Sequence, residues 1–345
     1  MKKLYWLVAT LMILSMVLTA CGASATKAPA EPAAEPATAA KGGWCSGTKI
    51  VFFPGGSPGG GFETVVYNGA VQAAADTGAD VEYVWSDWNA ATMVTQLQEA
   101  VATKPDGIAI MGHPGDEAYK DIVDAAEAEG IVITSMNTQT AKLQAQYATK
   151  GYGYVGAILH DAGYALGKEA ATRAGLQAGD KAFVWGLVSQ AGRGERTQGI
   201  IDALEDLGIE VVYQEIDNAT NAEAAAGVPV FTGIISANPD IKLVVTDHGN
   251  LTGTVRTFFE AAGLGPDDAY AAGFDMSGNA VEAIRSGYLD LVIDQQQWLQ
   301  GYFGVLQICL THNYGFAGLH IDTGAGFADK NNIEMLAPLV EKQIR

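Results

Sequence analysis

Short apolar runs rich in β-branched residues alternate with stretches of helical period along most of this chain. Ile50-Val51-Phe52-Phe53, Val81 to Trp85, Ile108 to Met111 and Ile131 to Thr134 read as strands. Between them Met93, Val94, Leu97 and Val101 form one face of a helix. The pattern then starts again, with Ala182 to Trp185, Val211 to Tyr213, Leu243 to Val245, Tyr270 to Phe274 and Leu291 to Ile293 as strands. Ile200, Ile201, Leu204 and Leu207 mark a helix face in this second half. Runs this apolar suit strands covered on both faces, hence parallel sheets with right-handed crossovers. Two successive units predict an α/β protein of two Rossmann-like lobes, each a parallel sheet flanked by helices. In such sheets a ligand sits outside the carboxyl ends of the strands, which places it in a cleft between the lobes.

The N-terminus departs from this pattern. Lys2 and Lys3 precede an apolar run from Leu4 to Leu18, which reads as a secretory signal over residues 1–20. Leu18-Thr19-Ala20-Cys21 resembles a bacterial lipobox, which implies cleavage before Cys21 and lipidation of its thiol. Ala, Pro, Lys and Glu then dominate without apolar period, so residues 21–45 read as a flexible, lipid-anchored tether. With Cys21 acylated, Cys45 and Cys309 remain as an even pair in an oxidising compartment. The sequence leaves open whether they form a disulfide or are two small buried hydrophobes.

Composition narrows the function. Apolar residues at 48% against 17% charged exclude a disordered chain, and 345 residues suffice for a real core in each of two lobes. The formal net charge of −19 excludes nucleic acid as a partner, because a phosphate backbone demands a basic face. Gly55-Gly56-Ser57-Pro58-Gly59-Gly60-Gly61 follows the first strand, as a phosphate loop would. Neither Walker nor dinucleotide spacing is met, so no nucleotide cofactor is expected. The five histidines include no i, i+4 pair, no zinc or calcium spacing occurs, and no local nucleophile signature is present. These residues give no case for a cofactor, a metal or an enzyme.

Polar residues instead collect at the ends of the predicted strands. Asn137 and Thr138 follow the fourth, and Arg193 and Arg196 follow the fifth. Asp247 with His248, Asp275, and Gln295 to Gln297 follow later ones. Arg and Asp can each hold two neighbouring hydroxyls, and Asn or Gln both donates and accepts, which is the set a polyhydroxylated ligand needs. Phe62, Trp88, Phe274 and Trp298 interleave with them. An aromatic plate suits the apolar C–H face of a sugar ring.

Gly273-Phe274-Asp275, then Val281-Glu282-Ala283-Ile284-Arg285-Ser286-Gly287 and the strand running into Asp294-Gln295-Gln296, resembles the C-terminal half of ribose/galactose-type periplasmic binding proteins. Gln300-Gly301-Tyr302, Pro105-Asp106-Gly107-Ile108 and Glu195-Arg196 with Gly199 agree with it, and the likeness extends over 46–330. The resemblance implies a type I fold with a three-strand hinge. Its lobes would be 46–158 plus 296–322 and 159–295 plus 323–345. By position it implies Phe62 as the stacking aromatic and Asn137 as a hydroxyl ligand of the first lobe. Arg196, Asp247, Asp275 and Gln295 would serve in the second, with Phe274 beside Asp275. Glycines stand before Phe62 where that family has Asn or Asp, and its second-lobe aromatic is missing from 217–221, which leaves Trp88 or Trp298 to supply a second plate. The function implied is an exported, membrane-anchored monomer that captures a monosaccharide, an aldohexose such as glucose, for an ABC permease and its ATPase. The alternative is a sugar or autoinducer-type signal receptor feeding a membrane sensor.

Overall fold

Strand and helix alternate over most of the chain from Lys49 onward because most apolar runs are followed by a stretch of helical period that covers them. In the computed structural model, which describes residues 42–345, the order begins β1 (Lys49–Gly55), α1 (Gly61–Thr77), β2 (Asp80–Trp85), α2 (Ala90–Ala102), β3 (Gly107–Met111), α3 (Asp116–Ala128), β4 (Val132–Met136), α4 (Ala141–Tyr147) and β5 (Gly153–Gly156). It continues with α5 (Leu159–Arg173), β6 (Lys181–Gly186), α6 (Glu195–Asp206), β7 (Glu210–Glu215), α7 (Asn218–Ala222), α8 (Val228–Ala237), β8 (Ile241–Thr246), α9 (Gly249–Ala262), β9 (Tyr270–Phe274), α10 (Gly278–Arg285) and β10 (Leu291–Asp294). The last elements are α11 (Gln297–Tyr314), β11 (His320–Asp322), β12 (Gly326–Ala328) and α12 (Ile333–Glu341). The expected signal, Cys21 and most of the tether lie outside the described residues.

Two six-stranded sheets result, in the orders β11-β5-β4-β3-β1-β2 and β12-β10-β9-β8-β6-β7. The first is parallel throughout, Val51 lying opposite Ile108 and Ile133 beside it. The second is parallel except for β12, which runs antiparallel to β10. The central strands β3, β4 and β9 are buried almost end to end, whereas the edge strands β2 and β7 are only half-buried. That is the burial expected of doubly covered parallel sheets. Aromatic residues Phe183, Trp185, Phe231, Phe258 and Phe259 fill one face of the second sheet.

The chain passes between the sheets three times. It crosses from β5 to α5 at residues 157–158, from β10 to α11 at 295–296, and from β11 to β12 at 323–325. Polar bonds tie the crossings together. The amide of Thr323 donates to the Gly156 carbonyl (3.0 Å), and Gln296 Nε2 donates to the Thr323 carbonyl (2.9 Å).

Each lobe also seats its main helix pair backbone to backbone. A Cβ on Gly69 or Gly301 would lie 1.9 or 1.8 Å from a carbonyl oxygen of the opposite helix, α11 or α1. Gly163 and Gly199 do the same for α5 and α6, at 2.0 and 2.1 Å.

Several expectations need correction. Cys45 belongs to the folded body rather than to a tether ending at residue 45. It is buried in a turn ahead of β1 and is bonded to Cys309 on α11. Strands β5, β11 and β12 escaped the sequence pattern, because three- and four-residue runs flanked by glycine carry too few apolar positions to show a period.

Candidate functional site

The carboxyl ends of both sheets face one another across the crossings, and the residues there are held in unusual backbone geometry. Trp88, Asn137, Asp275 and Gln296 all have positive φ, at 53°, 61°, 72° and 53°. Non-glycine residues adopt this region at a cost, and it concentrates where a side chain must be aimed. Asn137 and Asp275 occupy matching places, directly after β4 and β9. The Asn137 amide donates to the Val155 carbonyl (3.0 Å), and the Asp275 amide donates to the Ile293 carbonyl (2.9 Å). The same turn thus projects one polar side chain from each lobe toward the crossings.

Gln295 joins the two. Its Nε2 donates to Asp275 Oδ1 (2.7 Å), and its Oε1 accepts from Asn137 Nδ2 (3.3 Å). Gln297 Nε2 donates to the same Asp275 oxygen (3.0 Å), while Gln297 Oε1 is buried without a partner. Gln300 Oε1 accepts from Asn137 (3.4 Å), and its Nε2 donates to Thr323 Oγ1 (3.2 Å). Gln297 was among the polar residues read at the strand ends and Gln300 entered only as part of a motif, and neither was in the ligand set the resemblance implies. Their spacing of three at the start of a helix puts both on one face, which is the signal that could have found them. Burial raises the Asp275 carboxyl above its ordinary value, against the opposing pull of the Arg196 charge.

Asp247 is engaged wholly within the protein. Its Oδ1 accepts from Arg193 Nη2 (2.6 Å) and Arg196 Nε (2.9 Å). Its Oδ2 accepts from the Thr197 hydroxyl and the Leu187 amide (3.2 Å). All four acceptor sites of the carboxylate are therefore taken within the protein. Burial alone would raise this carboxyl, but Arg193 and Arg196 outweigh it and hold it well below the usual range. Asp247 positions the two guanidiniums.

Arg196 lies over the Phe274 ring, its guanidinium carbon 4.2 Å from the centroid. Phe274 is fully buried and so supports Arg196 from behind. Burial, helped by the like charge of Arg193, lowers the Arg196 guanidinium to about 10, still charged at neutral pH. Thr138 Oγ1, His113 Nδ1 and Arg193 Nη1 are buried without partners.

On the first lobe Phe62, Trp88 and His113 form an aromatic row. Phe62 meets Trp88 edge to face with centroids 5.6 Å apart, and Trp88 lies 5.1 Å from His113. The glycine loop makes room for this row. A Cβ on Gly55 would strike the Trp88 ring at 2.4 Å, and one on Gly60 would strike Glu63 Oε1 at 1.8 Å. The buried Glu63 carboxylate accepts from the Ser57 amide (3.2 Å) and bonds the Trp88 side chain. Sequence reading missed Glu63, because its acceptor role depends on a loop folding back over its own helix. Trp298 stacks on Tyr302 instead, with centroids 4.9 Å apart, and makes no ring contact with the Phe62–Trp88–His113 row.

Among the described residues no cluster of three or more metal-ligating side chains occurs, and no helix is long and apolar enough to cross a membrane. What the site can do is hold a small ligand by hydrogen bonds from both lobes, with aromatic faces beside it.

Residues 50–309 match the periplasmic binding protein domain family. The chain is 27% identical over 269 residues to a xylose/arabinose-binding protein of Sulfolobus acidocaldarius, covering 74% of this chain. The match spans only 65% of that relative's length. Among solved structures, a carbohydrate transporter from Acidothermus cellulolyticus in complex with myo-inositol is similar at 24% identity and TM-score 0.72, covering 86% of this chain and 99% of its own. A solute-binding protein of Burkholderia graminis in complex with D-arabinose is similar at 21% identity and TM-score 0.73, with 84% and 97% covered. A glucose-galactose binding protein of Geobacillus stearothermophilus reaches 20% identity and TM-score 0.71, with 82% and 98% covered. At these identities the structural likeness establishes the two-lobed fold.

Proposed function

Because this chain belongs to the periplasmic binding protein domain family, we propose that it captures a monosaccharide between its lobes and delivers it to an ABC permease. The family is one of binding proteins, and the reading involves no catalysis. The observation that carries it is the pairing of Asn137 and Asp275. Each stands in the left-handed region directly after an equivalent strand of its own lobe, and one glutamine amide spans them. Such a pair offers an amide and a carboxylate to neighbouring hydroxyls at a single point, which a polyol fills and an apolar ligand does not.

Asp275 Oδ1 is engaged by Gln295 and Gln297, which leaves Oδ2 as the charged acceptor for a sugar hydroxyl. Arg196, held at Nε by Asp247, keeps its terminal nitrogens for further hydroxyls. Phe62 and Trp88 supply the apolar plates. A pyranose is flat on its C–H faces and polar round its rim, and this arrangement meets both. The size favoured is an aldohexose such as glucose. The similar proteins named above carry pentose, hexose or inositol in their descriptions, which supports the class of ligand rather than one sugar.

Delivery from an exported lipoprotein follows from the lipobox-like Leu18-Thr19-Ala20-Cys21. Exchange of Cys21 for Ser would release the protein from the membrane fraction. The ligand class is tested by thermal melting against a panel of monosaccharides. A cognate sugar at 100 times its dissociation constant adds about 2.7 kcal/mol of stability. A panel that leaves the melting temperature unchanged throughout would remove the monosaccharide reading.

A further inference from the structure

Three buried polar atoms lie on residues at the place where the lobes touch, and none of the three atoms has a partner. From the second lobe comes Arg193, 5% exposed, whose Nη2 is bound to Asp247 and whose Nη1 is buried with nothing to receive its hydrogens. From the first come the Thr138 hydroxyl, on a residue with no exposure, and His113 Nδ1. Thr138 abuts the glycines next to Arg193 and His113. A Cβ on Gly192 would lie 3.1 Å from the Thr138 methyl group, and one on Gly112 would lie 1.8 Å from the Thr138 carbonyl oxygen. After burial itself, the charge of Arg193 is the largest influence on His113.

Buried donors without acceptors are costly, a guanidinium N–H above all. Asp247 cannot serve Arg193 Nη1, because its four acceptor sites are already taken. The other carboxylate of the site, Asp275, bonds Gln295 and Gln297 through Oδ1 and makes no bond to Arg193. A neutral hydroxyl can accept from the guanidinium and pass its own hydrogen to Thr138 or to an unprotonated ring nitrogen, but it brings no charge to the buried cation. An acceptor with two oxygens and no hydrogen receives from the guanidinium and from the threonine hydroxyl together, and a charge-assisted bond is about twice as strong as a neutral one.

We infer that the ligand is a sugar acid, a hexose ring carrying a carboxylate, with that carboxylate held by Arg193 and Thr138 beside His113. This rests on the monosaccharide reading of the cleft and names the class of sugar within it. Arg193 then sets specificity, Asp275 holds ring hydroxyls, and Asp247 holds Arg193 in place.

The test is calorimetric titration of the full chain at neutral pH with D-glucuronate and D-galacturonate, each against its parent hexose. One acid binds at least about tenfold more tightly than its parent, one charge-assisted bond being enough for that. Exchange of Arg193 for Gln weakens that acid at least about tenfold more than it weakens the parent hexose. Thr138→Val, which keeps the shape and leaves no charge unpaired, moves the ratio in the same direction should the Arg193 variant fold poorly. A hexose that binds as tightly as its acid, or an Arg193→Gln variant that weakens both equally, overturns the sugar-acid assignment alone. Binding of neither class overturns the monosaccharide reading along with it.

Discussion

Asp247 and Asp275 look alike in sequence, each directly following an apolar strand, yet their surroundings differ. Asp247 is saturated by two arginines, a threonine and a backbone amide, whereas Asp275 keeps one oxygen free. Asp247→Ala would leave two guanidiniums buried without their shared carboxylate, a change that costs about 3–5 kcal/mol in comparable buried pairs. Urea denaturation should show that loss, and a variant as stable as the parent would mean the arginines find other partners. Histidine burial gives a second expectation. Burial together with the arginine charges lowers His113 to about 3 and His248 to about 4, from an ordinary 6.5. The unfolded chain therefore binds protons that the folded one refuses, so stability is full above pH 6.5 and falls as pH drops toward 4. Melting temperatures between pH 7 and 5 should decline, and less steeply in His113→Gln. An equal decline in that variant would assign the effect to other groups. At this scale the sequence placed Asn137, Arg196, Asp247, Asp275 and Gln295 at strand ends. It did not separate ligand group from positioning group, because that depends on which lone pairs are already taken.

At the scale of elements, the long apolar strands were legible from their runs, and the helix faces from their period. The short strands β5, β11 and β12 were not, since they exist only through the neighbours they pair with. Helix seating was equally hidden. Gly199 read as part of a motif with Glu195 and Arg196, while its physical task is to let α6 touch α5 backbone to backbone. Gly199→Val would push the helices apart at the turn that carries Arg196, and overpacking of this kind costs about 1–3 kcal/mol. Both melting temperature and sugar affinity should fall together. Lost stability with unchanged affinity would show that α6 does not aim Arg196. The Cys45–Cys309 bond ties the chain ahead of β1 to α11 across a separation of 264 residues. A cross-link closing a long loop contributes about 2–5 kcal/mol by restricting the unfolded chain. Cys45→Ala with Cys309→Ala should therefore melt at lower temperature, and an oxidised parent no more stable than this double variant would contradict that role.

For the whole molecule, two lobes joined by three crossings permit bending while limiting slide, so groups from both sides can engage and release one ligand. The two-lobed plan was legible because the strand pattern runs twice. Where the lobes meet was not, since Gly192 against Thr138 joins residues that no local pattern connects. The central claim is that a single sugar is gripped by both lobes at once. The most direct measurement is calorimetric titration of the cognate sugar into the parent and into two variants, one from each lobe. Asn137→Gly removes the first-lobe amide, and Asp275→Asn removes the second-lobe charge while keeping a residue at home with positive φ. Asp275→Asn should weaken binding at least about tenfold, a charged hydrogen bond being worth about 1.5–3 kcal/mol, and Asn137→Gly about fivefold, a neutral one being worth about 0.5–1.5 kcal/mol. An affinity lowered by only one of the two, with the other variant binding like the parent, would contradict capture between the lobes.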